Sequence, residues 1–140
     1  MVLRGTGRIV ARTRELEGFK QQVRDLAARA DTSLGGAATD AVERYADEAR
    51  GLRGPSSARQ IRDDVVAALE RAHRALEMVE HGTSILGAAR RGSRELEAQT
   101  SIKRGYLNLL HAREALARHA LEAQALEPEQ PAQRTGRRVA

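Results

Sequence analysis

Leu16, Phe19, Val23, Leu26 and Ala30 recur at alternating intervals of three and four residues. That rhythm gathers them on one side of a 3.6-residue helix, whereas on a strand it would scatter them over both faces. A similar rhythm returns three more times. The second stripe is Ala38, Ala41, Val42, Tyr45, Ala49 and Leu52, and the third is Ile61, Val65, Leu69, Ala72, Leu76 and Val79. The fourth runs through Leu96, Ile102, Tyr106, Leu109, Leu110, Leu116 and Leu121. Four amphipathic segments joined by short connections predict an all-α fold. The expected architecture is an antiparallel four-helix bundle with a long last helix.

The punctuation agrees with this division. The paired glycines of "DTSLGGAA" and the stretch "GLRGPSS" stop the first and second helices, and Pro128 limits the fourth. Ser57 and Gln60 form a capping-box pattern at the start of the third helix, and Gly82 predicts a turn or kink after it. Asp25 with Arg29, Asp40 with Arg44, Glu70 with Arg74 and Glu114 with Arg118 are acid-then-base pairs at the spacing that supports a helix. Residues 1–127 are expected to form one helical domain. Residues 128–140, with two prolines and no apolar stripe, are expected to form a flexible basic tail.

The core must be built from small aliphatic side chains, because the chain has no Trp, one Phe and two Tyr. Helices should therefore approach closely, and a homo-oligomer is expected. With no cysteine there is neither a disulfide framework nor a thiolate metal site. No apolar run has the length of a signal peptide or a membrane span, which gives a cytoplasmic expectation and no membrane partner.

Charge is segregated rather than sprinkled. Against 24 basic residues stand 19 acidic ones, a formal net charge of +5. Arg4, Arg8, Arg12 and Arg14 open the chain without an intervening acid. Arg90, Arg91, Arg94, Lys103 and Arg104 form a second cluster, and Arg134, Arg137 and Arg138 a third. Nearly all these cations are Arg, which suits phosphate recognition. A GC-rich genome produces the same excess. The second cluster lies in "GTSILGAARRGSRELEAQTSIKRGYLNLL", which also carries Gly82, Gly87, Gly92 and Gly105. Each glycine inside a helix costs about 1 kcal/mol relative to Ala. Three readings account for them: a close helix–helix crossing, a break near Gly92 with Ser93 capping a new helix, or a weakened segment facing a polyanion.

"TSI" followed by "RRGSREL" and a long helix resembles the small four-helix-bundle proteins encoded in ribosomal RNA intervening sequences. It is also similar to the accessory variability proteins of diversity-generating retroelements. The resemblance covers Thr83 to about Leu110, and "LGAAR" stands where that family has Ala-Asn-Ile-Ala-Glu. It implies ring-like oligomers with basic surfaces that assist a nucleic-acid machine.

Catalytic patterns are sparse, and no enzyme is expected. Glu70-x-x-His73 has the form of a di-metal ligand pair, but no second such pair accompanies it. His73, Glu77 and His81 share a helical face that adventitious zinc could use. Arg113-x5-His119, Arg104-x6-His111 and Arg74-x6-His81 fit the Arg–His spacing of metal-independent helical-bundle ribonucleases. No phosphate-cradling loop and no base-stacking aromatics occur, so contact with nucleic acid would run through phosphates with little sequence specificity. The expectation is a non-enzymatic oligomeric accessory or adaptor protein that docks on nucleic acid. Its contacts would come from Arg90, Arg91, Arg94, Lys103 and Arg104, joined by Arg8, Arg12, Arg137 and Arg138. No catalytic residue, metal ligand or cofactor is expected. The alternatives are a protein-binding assembly module and the ribonuclease built on Arg113 and His119.

Overall fold

The computed structural model of the chain describes residues 2–36, 39–88 and 94–128, with side chains described from residue 13 onward. The protein is an all-α helical bundle. Helix α1 spans Val2–Gly35, α2 Thr39–Arg50, α3 Arg59–Ala88 and α4 Glu95–Gln124, and a 3-10 turn at Ser56–Ala58 precedes α3. Helices α3 and α4 are each thirty residues long, and α1, at 34 residues, is longer than the expected long last helix. None of the helices is long and apolar enough to cross a membrane, among the described residues.

The first three stripes form the core. Leu16, Phe19, Val23, Leu26 and Ala30 are buried, as are Val42, Ala49 and Leu52 and the whole series Ile61, Val65, Leu69, Ala72, Leu76 and Val79. Ala38 lies outside the described residues. No polar or charged residue is buried among the described residues, so the interior is held by aliphatic packing around the single ring of Phe19. Gly54, in the connection between α2 and α3, lies flat on that ring, since a Cβ there would come within 2.8 Å of Phe19 Cδ1.

Several local expectations need correction. Gly82 does not mark a turn, since α3 continues through it to Ala88. It sits buried within α3, where a Cβ would meet the Ala98 carbonyl at 2.8 Å and Ile102 Cγ1 at 2.7 Å. Gly105 reciprocates from α4, its absent Cβ standing 2.9 Å from the Ala75 carbonyl. The close-crossing reading therefore holds for these two glycines. Small residues repeat every seven positions on both helices, as Ala68, Ala75 and Gly82 on α3 and as Ala98, Gly105 and Ala112 on α4, all six buried. Gly87 contributes nothing to this crossing, and Gly92 lies in the undescribed segment between α3 and α4.

The capping box also fails to form. Pro55 precedes the 3-10 turn without a side-chain cap, and Gln60 gives its amide to Asp64 instead. None of the four expected intrahelical ion pairs forms among the described residues, and two give way to bonds between helices. Arg29 reaches past Asp25 to Glu48 on α2, and Glu70 takes Arg50 of α2 rather than Arg74. Arg118 turns forward to Glu122 and not back to Glu114, and no ion pair joins Asp40 to Arg44 among the described residues. An arginine beside a neighbouring helix finds carboxylates there that complete the same ion pair while fixing the packing angle.

The largest departure is on α4. Leu109 and Leu116 of its predicted stripe are buried, but Leu96, Tyr106, Leu110 and Leu121 are exposed. The side of α4 that meets the bundle is instead mostly small: Ala98, Gly105, Ala112, Ala115 and Ala123.

Candidate functional site

A groove of about 840 Å³ lies between the outer edges of α3 and α4. Arg71, Arg74, Met78 and His81 recur at three-four-three spacing along α3 and form one wall. Ser101, Asn108 and His111 of α4 form the other. The tight Ala–Gly crossing beneath brings the two backbones together, so the groove is shallow and its walls are side chains. Its floor is stitched across the helices: Ser101 Oγ donates to the Met78 carbonyl at 3.0 Å, and Asn108 Nδ2 lies 3.6 Å from Met78 Sδ.

Two arginines and two histidines come together in this groove. Arg71, Arg74, His81 and His111 are exposed, and none makes an ion pair among the described residues. Glu77 is the acid on the rim, and it is held by His73 Nδ1 at 2.9 Å. Elsewhere Arg29 pairs with Glu48, Arg50 with Asp47 and Glu70, Arg62 with Asp63, and Arg113 with Asp31, while Arg14, Arg44, Arg53 and Arg59 are exposed and make no ion pair among the described residues.

The expected basic cluster is only partly within view. Arg90, Arg91, Arg137 and Arg138 lie outside the described residues, as do the side chains of Arg8 and Arg12. Arg94 makes a forked pair with Glu97, both N···O distances being 3.1 Å, and its charge is thereby matched. The hydrogen bond and charge of Arg94, with a smaller contribution from His81, hold the Glu97 carboxyl below its ordinary range. Lys103 and Arg104 are both exposed and unpaired among the described residues, but consecutive helical positions point about 100° apart. Arg104 faces the groove side of α4 with His111, seven residues on, while Lys103 faces away from the bundle. The structure thus does not gather Lys103 and Arg104 on one side.

The proposed ribonuclease pair diverges. Arg113 Nε bonds Asp31 on α1 at 2.9 Å, whereas His119 turns to the α3 side, with Nδ1 3.8 Å from Asp64 and 3.4 Å from Glu122. His73 and His81 also separate, one held by Glu77 and the other lining the groove. Asp64, His119 and Glu122 present one ligand atom each within 4.8 Å of one another, the described grouping that could hold a metal ion. His119 and Glu122 are three residues apart and readable from sequence. Asp64 joins them only through the fold. The groove is similar: sequence reasoning singles out Arg74, His81 and His111 in Arg–His pairs, Arg74 also as a partner for Glu70 and His81 also on the face it shares with His73 and Glu77, but it does not single out Arg71. The three-four-three series on α3 was the available signal.

Searches against protein-family models, curated proteins and solved structures return no match to this chain.

Proposed function

We propose that this protein is a non-enzymatic, self-associating helical accessory protein that docks on nucleic acid through phosphate contacts with little sequence specificity. The observation that carries the reading is the α3–α4 groove, where the exposed Arg71 and Arg74 make no ion pair among the described residues and His81 and His111 stand beside them. Arg104 extends this set along α4. Unmatched arginines beside an open groove suit a backbone of regularly spaced phosphates, and each contact releases counterions. The scarcity of aromatics near the groove argues against base stacking and for recognition of the backbone alone.

The architecture behind this reading is an antiparallel bundle. Contacts that climb one helix descend its neighbour: Arg29 with Glu48 and Ser33 with Tyr45, Arg50 with Glu70 and Thr39 with Glu80, Arg24 with Gln124 and Arg113 with Asp31. The resemblance of Thr83–Leu110 to ribosomal intervening-sequence bundles points in the same direction. A protein-binding assembly module is the second reading, favoured by the exposed leucines of α4.

Binding of fluorescent single-stranded RNA and duplex DNA at about 50 mM salt tests the proposal, since counterion release is then most favourable. The double variant Arg71→Gln/Arg74→Gln should weaken binding regardless of sequence. It should also flatten the logarithmic salt slope by about 0.7 to 0.9 per lost contact. Arg50→Gln, whose charge is already matched by Asp47 and Glu70, should leave that slope alone. No affinity in the unmodified protein at that salt overturns the reading and leaves the protein-binding module in first place.

A further inference from the structure

Helix α4 carries a second apolar stripe on the side opposite the bundle. Leu96, Lys103, Leu110 and Ala117 fall seven residues apart, and Thr100, Leu107, Glu114 and Leu121 fall seven apart between them. All eight are exposed. Leu96 and Leu121, at the two ends, are 78% and 72% exposed, and Leu107 and Leu110, at the centre, 53% and 50%. The two interleaved rows, offset by three and four, are the a and d positions of a coiled-coil seam. A lone exposed Leu needs no explanation, but four of them in register along 26 positions of one helix do.

The occupant is identified by the two charged residues of the stripe. Lys103 and Glu114 make no ion pair within the described chain. In an antiparallel pairing of α4 with its own copy, a positions face d positions. One register then places Leu107 opposite the partner's Leu110 and Thr100 opposite the partner's Ala117. Leu96 faces the partner's Leu121, and Lys103 faces the partner's Glu114. Every leucine meets a leucine and every charge meets its opposite. Sliding one chain by a heptad sets Lys103 against leucine, and a parallel pairing sets Lys103 on Lys103 and Glu114 on Glu114. Like charges in a seam select against that arrangement.

We infer that two copies of this chain associate through the outer face of α4, antiparallel, about a twofold axis between Leu107 and Leu110. The interface is isologous and therefore closed, which limits this contact to a dimer. The inference rests on the self-association part of the function proposed above and is independent of polyanion docking. The α3 wall of the groove lies away from this face, and His111 of its α4 wall follows directly on the seam residue Leu110.

The charge pair and the absence of native cysteine provide the test. Light scattering across a dilution series should show a dimer. Lys103→Glu and Glu114→Lys should each weaken it at least tenfold, and the double exchange Lys103→Glu/Glu114→Lys should restore it to within a few-fold of the original. Under mild oxidation, Thr100→Cys chains mixed with Ala117→Cys chains should form a mixed disulfide, while each alone should not link, because residues 17 positions apart are separated by about 25 Å along the helix. Circular dichroism of each variant separates lost pairing from lost folding. Self-linking of Thr100→Cys, or a double exchange no better than its parents, overturns the inference. A dimer indifferent to all these changes places self-association on another surface and leaves the function proposed above standing. A folded monomer at all concentrations removes both the seam and the self-association, while the nucleic-acid assay continues to report separately on the groove.

Discussion

Helices α3 and α4 have the same length and pack against each other along their course, yet they distribute their large side chains in opposite ways. In α3 the branched aliphatics point inward: Ile61, Val65, Leu69, Leu76, Val79 and Ile85 are buried. In α4 the inward side is chiefly alanine and glycine, and most of its leucines face solvent. One helix supplies volume to the core and the other supplies proximity. A small-residue face loses little side-chain area to the interior, but it lets the α3 backbone approach closely enough that two glycines touch carbonyls across the crossing. The leucines left outside are then available for another purpose.

This contrast is most sharply tested by truncating leucines on the two helices. Leu69→Ala removes a fully buried side chain of α3 and should cost about 2–5 kcal/mol in urea unfolding. Leu96→Ala on α4, measured at sub-micromolar protein to suppress association, should change stability by no more than about 0.5 kcal/mol. Equal losses at both sites would show that the outer face of α4 is part of the folding core.

Glycine substitutions probe proximity. Gly105→Ala improves helix propensity by about 1 kcal/mol, but its Cβ would press on backbone of α3 at Ala75 and Val79. Overpacking against backbone should win, for a net loss of about 1–3 kcal/mol. Gly18 of α1 has nothing within 4 Å of its would-be Cβ, so Gly18→Ala should instead stabilise by up to about 1 kcal/mol. A stabilised Gly105→Ala would mean that the crossing is looser than described.

The smallest expected effect is electrostatic and lies in the first turn of α4. The Glu97 carboxyl is held low chiefly by its hydrogen bond from Arg94 and then by that residue's charge. A depressed folded-state value stabilises the fold above the ordinary glutamate range, and the contribution is lost as pH falls through the folded value. Carbon-detected NMR titration should place the Glu97 midpoint below that of an unpaired glutamate, and Arg94→Gln should return it upward. A midpoint unmoved by that substitution would show that the forked pair does not persist in solution.

The contrast between the helices also shows what was legible in the chain. Stripes in α1 to α3 read correctly because each has one apolar side, and burial follows from that. Helix α4 has apolar residues on two sides, and periodicity alone cannot say which side faces inward. Leu96, Leu110 and Leu121 look like core by hydrophobicity, whereas Ala98, Gly105 and Ala112 do not. The seven-residue recurrence of small residues on both helices was visible, but its meaning required the two series to meet. The groove was illegible for a related reason: Arg71 and His111 are forty residues apart in the chain, and only the hairpin brings them together. Which arginines remain unmatched also depends on acids from other helices, as Arg113 with Asp31 and Arg50 with Glu70 show.

The seating of α4 between neighbours close and distant in the chain has a kinetic corollary. The crossing at Gly82 and Gly105 joins segments separated by a short connection, so it closes a small loop and can zip outward from there. The bond from Arg24 to Gln124 instead spans a hundred residues and requires α1 to find a partner nearly a full chain away. Because loop closure must precede the contacts that reward it, the α3–α4 hairpin is expected to form before α1 docks against α4, the entropically costlier step. During that interval the hairpin presents two unsatisfied apolar sides at once, and an encounter with a second chain can cover either of them.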